Sequence, residues 1–208
     1  MEDVLELYRQ PYDPRYPLVC FDESPKQLIK ETRTPLPIKP GHVQRFDYEY
    51  ERQGTCNLFM FFEPLAAWRH IEVTDRRTML DYAQCMRELV DNYYPEAECI
   101  RIVQDNLNTH KAASLYQAFP AAEARRILKR VEFHYTPKHG SWLNMAEIEL
   151  SSLARQCLDR RIDLKETLIS ETAAWVTQRN DHGATVNWHF TTHDARIKLK
   201  RLYPSFED

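Results

Sequence analysis

The chain has 208 residues, 43% of them hydrophobic, and a formal net charge of −3 from 28 basic and 31 acidic side chains. This length and composition predict a single domain with a substantial core. The slightly negative charge excludes a protein held on nucleic acid by its overall charge, so any DNA contact has to use local basic patches. No segment approaches the roughly 20 apolar residues of a membrane span, and no membrane partner is expected.

The cysteines are odd in number, widely spread and contain no C-x-x-C pair, which argues against a disulfide framework and against a zinc knuckle. The acidic N-terminus has no apolar signal segment. Both features predict a cytoplasmic protein with buried, reduced thiols. The five cysteines are Cys20, Cys56, Cys85, Cys99 and Cys157.

Proline governs the predicted structure of the first 41 residues. Three prolines before Leu18 predict an extended lead-in over residues 1–17, with the first strand beginning near Leu18. Residues 24–41 are polar and contain four more prolines, which predicts a long loop.

Antiparallel strands and then a helix are predicted next. Residues 43–51 partly alternate and residues 56–62 are apolar and aromatic, so a hairpin turning at Gly54 is predicted, with a third strand at 68–73. Thr78 can cap a helix that Pro95 closes.

The second half alternates strands with helices. Strands are predicted at 100–103 and 131–135, helices at 111–119 and 121–130, and a helix capped by Asn144 that runs to about Leu158. Further helices are predicted at 164–179 and after Thr192. Antiparallel strands followed by βα units predict an α/β fold with a mixed sheet and helices on its faces.

Three acids stand where these elements begin or end. Asp22 closes the first apolar strand, Asp105 follows the strand at 100–103, and Glu147 lies in the first turn of a helix. Two Mg²⁺ ions held by carboxylates can activate a nucleophile and stabilise the leaving oxygen at a phosphodiester. Each acid also has a structural explanation, as a strand-end cap, a turn former or a helix-dipole glutamate. The pattern favours a metal site without deciding the question.

The motifs around these acids resemble a known family. The chain resembles the catalytic domain of the Asp-Asp-Glu (DDE) transposases, in the bacterial insertion-sequence branch related to mariner elements. The resemblance extends over residues 18–204. The segments that carry it are Val103-Gln-Asp105-Asn106-x-x-x-His110, Phe133-His-Tyr135-Thr-Pro137-x-x-x-Ser141-x-Leu143-Asn144-x-x-Glu147 and Val186-Asn-Trp188-His-Phe190-Thr-Thr-x-Asp194.

The resemblance implies a ribonuclease-H-like mixed five-stranded sheet flanked by helices. It also implies cleavage and strand transfer of double-stranded DNA at insertion-sequence ends, by a nucleoid-associated homodimer. The cofactor would be two Mg²⁺ ions, for which Mn²⁺ can substitute. Asp22, Asp105 and Glu147 would be the catalytic residues and the metal ligands.

The third acid has a competitor. Met145-Ala146 stands where many relatives have Pro-Ile, which leaves Glu149 as an alternative to Glu147. Helical geometry puts the two glutamates on opposite flanks of the apolar stripe and does not choose between them. The spacing after Leu143-Asn144 selects Glu147.

Supporting roles follow for several other residues. By resemblance His110 steadies the site or touches a phosphate, and Asn106 orients a metal-bound water, although a helix-start cap and a turn pair explain them as well. Glu23 should point to the other side of the strand from Asp22 and is left out. Trp142 can stack on DNA bases or pack at the core rim. Two basic clusters suit phosphates or a solvated helix face: Arg125, Arg126, Lys129 and Arg130, and then Arg196, Lys198, Lys200 and Arg201.

Related transposases carry helix-turn-helix units ahead of the catalytic domain, whereas only 21 residues precede Asp22 here. We therefore expect this domain to be absent, so that the chain is half of an interrupted frame, works with a separate chain that carries those units, or is a remnant. Two alternatives to a transposase stay open: a ribonuclease-H-like nuclease outside transposition, and an inactive module that only binds DNA or protein.

Overall fold

A single five-stranded sheet organises the molecule. The computed structural model describes residues 1–43, 45 and 47–203. The spatial order is β3-β2-β1-β4-β5; β1, β2 and β3 pair antiparallel, whereas β1, β4 and β5 run parallel. The predicted mixed sheet is confirmed. The strands are β1 (Leu18–Glu31), β2 (Tyr50–Glu63), β3 (Trp68–Thr74), β4 (Ile100–Gln104) and β5 (Val131–Tyr135).

Helices cover both faces of the sheet. Helices α2, α3 and α4 pack on one face, and α1, α5, α6 and α7 pack on the other. Short turns of other helix types follow α2 at Leu89–Tyr93, precede α5 at Ser141–Leu143 and follow α7 at Lys200–Leu202. The helices are α1 (Glu2–Leu7), α2 (Met79–Glu88), α3 (Ala112–Ala118), α4 (Ala121–Leu128), α5 (Ala146–Gln156), α6 (Lys165–Asp181) and α7 (Thr192–Lys198).

Strand alternation divides the core in two. Successive side chains of β1 point to opposite faces, so Val19 and Phe21 pack under α2, whereas Leu18 and Cys20 pack under α5. The sheet is thus buried on both sides. Its functional groups have to emerge at its edges or at the ends of its strands.

The extended lead-in predicted for residues 1–17 is wrong in its first part, because Glu2–Leu7 forms α1. Val4, Leu5 and Leu7 are buried in the core beside α5 and α7. The prolines at 11, 14 and 17 all follow this helix, so they end it without preventing it. The N-terminal segment is therefore part of the packed domain.

The long loop at 24–41 and the hairpin turning at Gly54 are also wrong. Strand β1 continues to Glu31 through Pro25 and pairs with β2 from Cys20 to Glu31. Pairing of β1 with β4 stops at Cys20, so Pro25 lies on a free edge where its missing N–H costs no ladder bond. Gly54 lies inside β2 with φ of 98°, beside a register shift, which is the geometry of a bulge. Of residues 43–51, Gln44 and Phe46 lie outside the described residues.

Other predictions agree with the structure. All five cysteines are free thiols, and four of them are buried, with Cys99 half-buried. Thr78 caps α2 and accepts a hydrogen bond from the Asp81 backbone N–H, as its position predicts. Across the described ranges, the helices are all too short or too polar to cross a membrane.

Candidate active site

Two aspartates lie side by side where the parallel part of the sheet ends. The last parallel pair of β1 and β4 is Cys20 with Val103. Asp22 and Asp105 each stand two residues beyond that pair, at the carboxyl edge of β4. The sequence predicted that Asp22 ends its strand, and this prediction is wrong, because β1 continues to Glu31. Asp22 lies where β1 leaves β4 and continues along β2 alone.

Asn144 joins the third acid to this edge. Its side-chain N–H group donates to the Phe21 carbonyl at 2.8 Å and lies 3.4 Å from Asp22 Oδ2. Its Oδ1 accepts from the Ala146 N–H at 3.2 Å, and its carbonyl accepts from the Glu147 N–H at 3.1 Å. The predicted capping role is met in part, since Met145 occupies the N-cap position. The contact with β1 was missed because it joins distant parts of the chain.

Helix α1 supports the same segment. The Tyr8 hydroxyl, directly after α1, donates to the Leu143 carbonyl at 2.6 Å, and its ring packs 5.2 Å from Trp188. Nothing in the sequence of the lead-in predicted this contact. It fixes the loop that delivers Asn144 and Glu147.

The carboxylates repel one another. Burial, together with the negative charges of Glu23, Glu147 and Asp105, raises the pKa of Asp22 to about 7. Asp22 therefore senses the charge of both other predicted acids. A group of carboxylates with this mutual repulsion is stabilised by a bound cation.

His110 connects Asp105, at the edge of the sheet, with Glu23, on the other side of β1 from Asp22. Its Nδ1 lies 2.5 Å from Asp105 Oδ1, and its Nε2 lies 2.9 Å from Glu23 Oε2. Burial alone would lower the pKa of His110, but hydrogen bonds to Asp105 and Glu23 raise it to about 9. His110 is thus a buried imidazolium that holds Asp105. Glu23 points away from Asp22, as alternation predicts, yet it reaches the site through this histidine.

Glu149 is paired with two arginines away from the aspartates. Its side chain is 1% exposed and accepts two hydrogen bonds from Arg179, at 2.9 and 2.7 Å. Its Oε2 also lies 3.0 Å from Nε of the buried Arg69. Glu147, by contrast, is half-buried at the start of α5. Of these two glutamates, Glu147 is the one whose negative charge contributes to the raised pKa of Asp22.

A groove opens beside Asp105. It has a volume of about 520 Å³ and is lined by Asp105, exposed Asn106, Pro137 and His139 among others. Trp142, 41% exposed, lies in the loop after it and packs against Phe190 at 5.5 Å between ring centroids.

The two basic clusters lie in different places. Arg126 is paired with Asp91 and Glu123, and Arg130 donates to the Tyr94 and Pro95 carbonyls. This cluster directly precedes β5, and the first residue of β5 pairs with the first residue of β4. The cluster therefore lies near the amino ends of these strands, whereas Asp105 lies beyond the carboxyl end of β4. Arg125 and Lys129 in this cluster are exposed.

The C-terminal cluster lies next to Trp142 and Phe190. Arg196 is paired with Glu2, whereas Lys198, Lys200 and Arg201 are exposed. Lys198 Nζ stands 5.7 Å from the centre of the Phe190 ring, which itself packs on Trp142. The aromatic edge formed by Trp142 and Phe190 therefore adjoins the exposed basic residues on and after α7.

Comparison with known proteins assigns the chain to a family. Residues 17–169 match the family described as DDE superfamily endonuclease, and the match contains all three predicted acids. The chain belongs to the DDE superfamily endonucleases. No curated protein sequence matches it.

Solved structures similar to this DDE endonuclease domain include those of Mos1 transposase. A Mos1 paired-end complex with the left transposon end aligns over 88% of this chain at 14% identity and a TM-score of 0.59. The pre-cleavage Mos1 transpososome and the Mos1 strand transfer complex each align over 99% of this chain, at 15% and 14% identity and TM-scores of 0.60 and 0.61. These alignments identify the ribonuclease-H-like fold. The chain spans 56–61% of the length of those proteins.

The donor set of this DDE domain fits a hard divalent cation. Within the described ranges, no three His, Cys, Asp or Glu side chains are grouped as a ready-made metal site. Mg²⁺ commonly takes one or two protein carboxylates and completes its shell with water and substrate phosphate, so such a group is not required. The pKa of Asp22 is raised mainly by burial and further by the charges of Glu23, Glu147 and Asp105, and a nearby cation would offset both effects.

Proposed function

We propose that this chain is the catalytic domain of a transposase that cleaves double-stranded DNA at insertion-sequence ends and transfers the strand. The observation that carries the proposal is the pair Asp22 and Asp105 in matching positions at the edge of the parallel strands, with Asn144 tying the Glu147 helix to the same edge. The Mos1 neighbours are complexes with transposon-end DNA and a strand transfer complex, which supports the same chemistry.

Asp22, Asp105 and Glu147 are the residues that would hold Mg²⁺, or Mn²⁺ in its place. Two such ions, when bound, help to deprotonate the attacking hydroxyl and stabilise the leaving oxygen. Asn144 fixes the distance between α5 and β1, and His110 orients the Asp105 carboxylate. Asn106, exposed in the groove, is placed to contact a phosphate or an ordered water.

Double-stranded DNA is the proposed substrate because the groove beside Asp105 continues into an exposed aromatic and basic surface. Trp142 offers a ring face for an unpaired base at a DNA end. Lys198, Lys200 and Arg201 offer charges for phosphates. A homodimer, or a further chain with helix-turn-helix units, belongs to the same proposal.

Asp105→Asn tests the proposal. The substitution keeps the volume of the side chain and removes the charge that a cation needs, so we expect nicking to fall by at least 100-fold. The substrate is a duplex carrying the inverted repeats that flank the coding sequence, incubated with Mg²⁺ or Mn²⁺, and the product is a nick at the repeat end resolved on a denaturing gel.

Asp159→Asn is the matched control, since the same chemical change is made at an exposed acid away from the edge of β4. It should nick like the wild-type protein. Nicking by Asp105→Asn at the wild-type rate would refute the site. Preference of the wild-type protein for an RNA–DNA hybrid over the repeat duplex would instead select a ribonuclease.

A further inference from the structure

A buried acid lies on the opposite side of β1 from the metal site. The Glu23 side chain is 4% exposed, and its Oε2 stands 2.9 Å from Nε2 of His110. The other ring nitrogen of His110 meets Asp105 Oδ1 at 2.5 Å. One imidazole therefore links a carboxylate on the back of the sheet to a predicted metal ligand at its edge.

The imidazole is held in place from all sides. Phe21 meets the His110 ring edge-on with centroids 5.2 Å apart, and Tyr82 packs on it at 4.9 Å. The His110 carbonyl accepts hydrogen bonds from the Gln104 side-chain amide at 2.9 Å and from the Tyr135 hydroxyl at 3.2 Å. These contacts fix the backbone and the ring faces of His110. Its two ring nitrogens are left to contact Glu23 and Asp105, so the imidazole couples the positions of the two carboxylates.

The fold alone does not require an acid at position 23. A buried carboxylate has a large desolvation cost, and apolar residues of similar volume often serve stability equally well. Among the described residues, the ion-pair partners of Glu23 are His110 and the half-exposed Arg77, whose Nη1 is 3.7 Å away. The close contact is the one that leads to the metal site.

We propose that Glu23 is a positioning residue for the metal site, acting through His110 to fix the orientation of the Asp105 carboxylate. The proposal rests on the proposed function, because it needs Asp105 to be a metal ligand. Groups that hold a metal ligand from behind usually change metal affinity 10- to 100-fold when they are removed. Asp105 is placed for this effect, since it stands in the loop directly after β4, where His110 at 2.5 Å holds its carboxylate more closely than the Leu107 N–H at 3.3 Å.

The test is Mn²⁺ binding by the DNA-free protein, measured from the electron paramagnetic resonance of free Mn²⁺. Glu23→Gln keeps the size of the side chain and a weaker acceptor for His110, so we expect about tenfold weaker binding. Glu23→Asp keeps the charge but is one methylene too short to reach His110, and it should bind comparably weakly. The second variant carries the test if the first does not fold, as judged by circular dichroism.

Glu63→Gln is the matched control. Glu63 is another buried acid, which accepts a hydrogen bond from the Tyr94 hydroxyl at 2.7 Å, and it is the last residue of β2, next to Phe62, the partner of Cys20. It should leave Mn²⁺ affinity unchanged whatever it does to stability. Loss of affinity in the Glu23 variants alone supports the positioning role.

Two results would overturn the proposal in distinguishable ways. Wild-type affinity in a folded Glu23 variant removes the positioning role and leaves the metal site standing. No Mn²⁺ binding by the wild-type protein removes the metal site itself, and the role of Glu23 with it.

Discussion

Two glutamates, two positions apart on α5, have opposite environments. Glu147 is half-buried at the start of the helix, whereas Glu149 is buried between Arg69 and Arg179. A fully buried ion group of this kind is stable only while every charge has its partner. Glu149 is therefore a structural residue that locks α5 to β3 and α6.

Exchanging each glutamate for glutamine should separate structure from chemistry. Glu149→Gln leaves the Arg69 guanidinium buried without its counter-charge, and we expect a loss of about 3–5 kcal/mol in the free energy of unfolding. Glu147→Gln should stay within about 0.5 kcal/mol, because it removes only repulsion at a half-buried site. Urea unfolding followed by tryptophan fluorescence measures both. Equal stabilities of the two variants would contradict these environments.

The sequence could locate the acids but not their partners. Asp22 and Asp105 were found because an apolar strand precedes each of them. Asn144 and Glu149 make their decisive contacts with Phe21, Arg69 and Arg179, and contacts between distant segments leave no periodic signal. The same reason hid Glu23, whose partner His110 belongs to another element.

At the scale of elements, α1 is the main addition to what the sequence predicted. Its apolar residues pack between α7 and the parallel strands. Tyr8, the residue after α1, donates a hydrogen bond to the Leu143 carbonyl in the segment before α5. A six-residue helix is unstable alone in water, so its stability comes from this burial. Prolines mark where such a helix stops, and packing decides whether it forms.

Leu5→Ala measures the contribution of α1. Leu5 is fully buried, so truncation to alanine should lower the free energy of unfolding by about 2–5 kcal/mol. Glu6→Ala, at the exposed position next to it in the same helix, should change stability by less than about 0.5 kcal/mol. Thermal unfolding by calorimetry compares the two. A small effect of Leu5→Ala would mean that α1 is only loosely attached.

Across the whole molecule, the two basic clusters lie at opposite ends of the sheet. The cluster on α4 adjoins the start of β5, and half of it is paired with acids or carbonyls. The cluster on and after α7 adjoins Phe190 and Trp142, on the side of Glu147. Sequence composition could not rank them, because exposure and placement are properties of the fold.

The salt dependence of DNA binding should rank them. Lys198→Gln with Lys200→Gln removes two exposed charges near the site, so the slope of log affinity against log salt should fall by about two. Arg125→Gln with Lys129→Gln removes two exposed charges at the other end and should leave the slope unchanged. Fluorescence anisotropy with a labelled duplex measures both slopes. An equal reduction of this slope in both double variants would show that DNA contacts both basic clusters and not the C-terminal cluster alone.

The continuation of β1 past Asp22 has a consequence for motion. The residues before and after Asp22 pair with β2, whereas Asp105 stands in the loop after β4 and Glu147 stands at a helix start. Loops and helix ends open locally far more often than paired strands. Under the proposed function, Asp22 would be the fixed carboxylate of the site, and Asp105 and Glu147 would be the two that can adjust their positions to a bound cation.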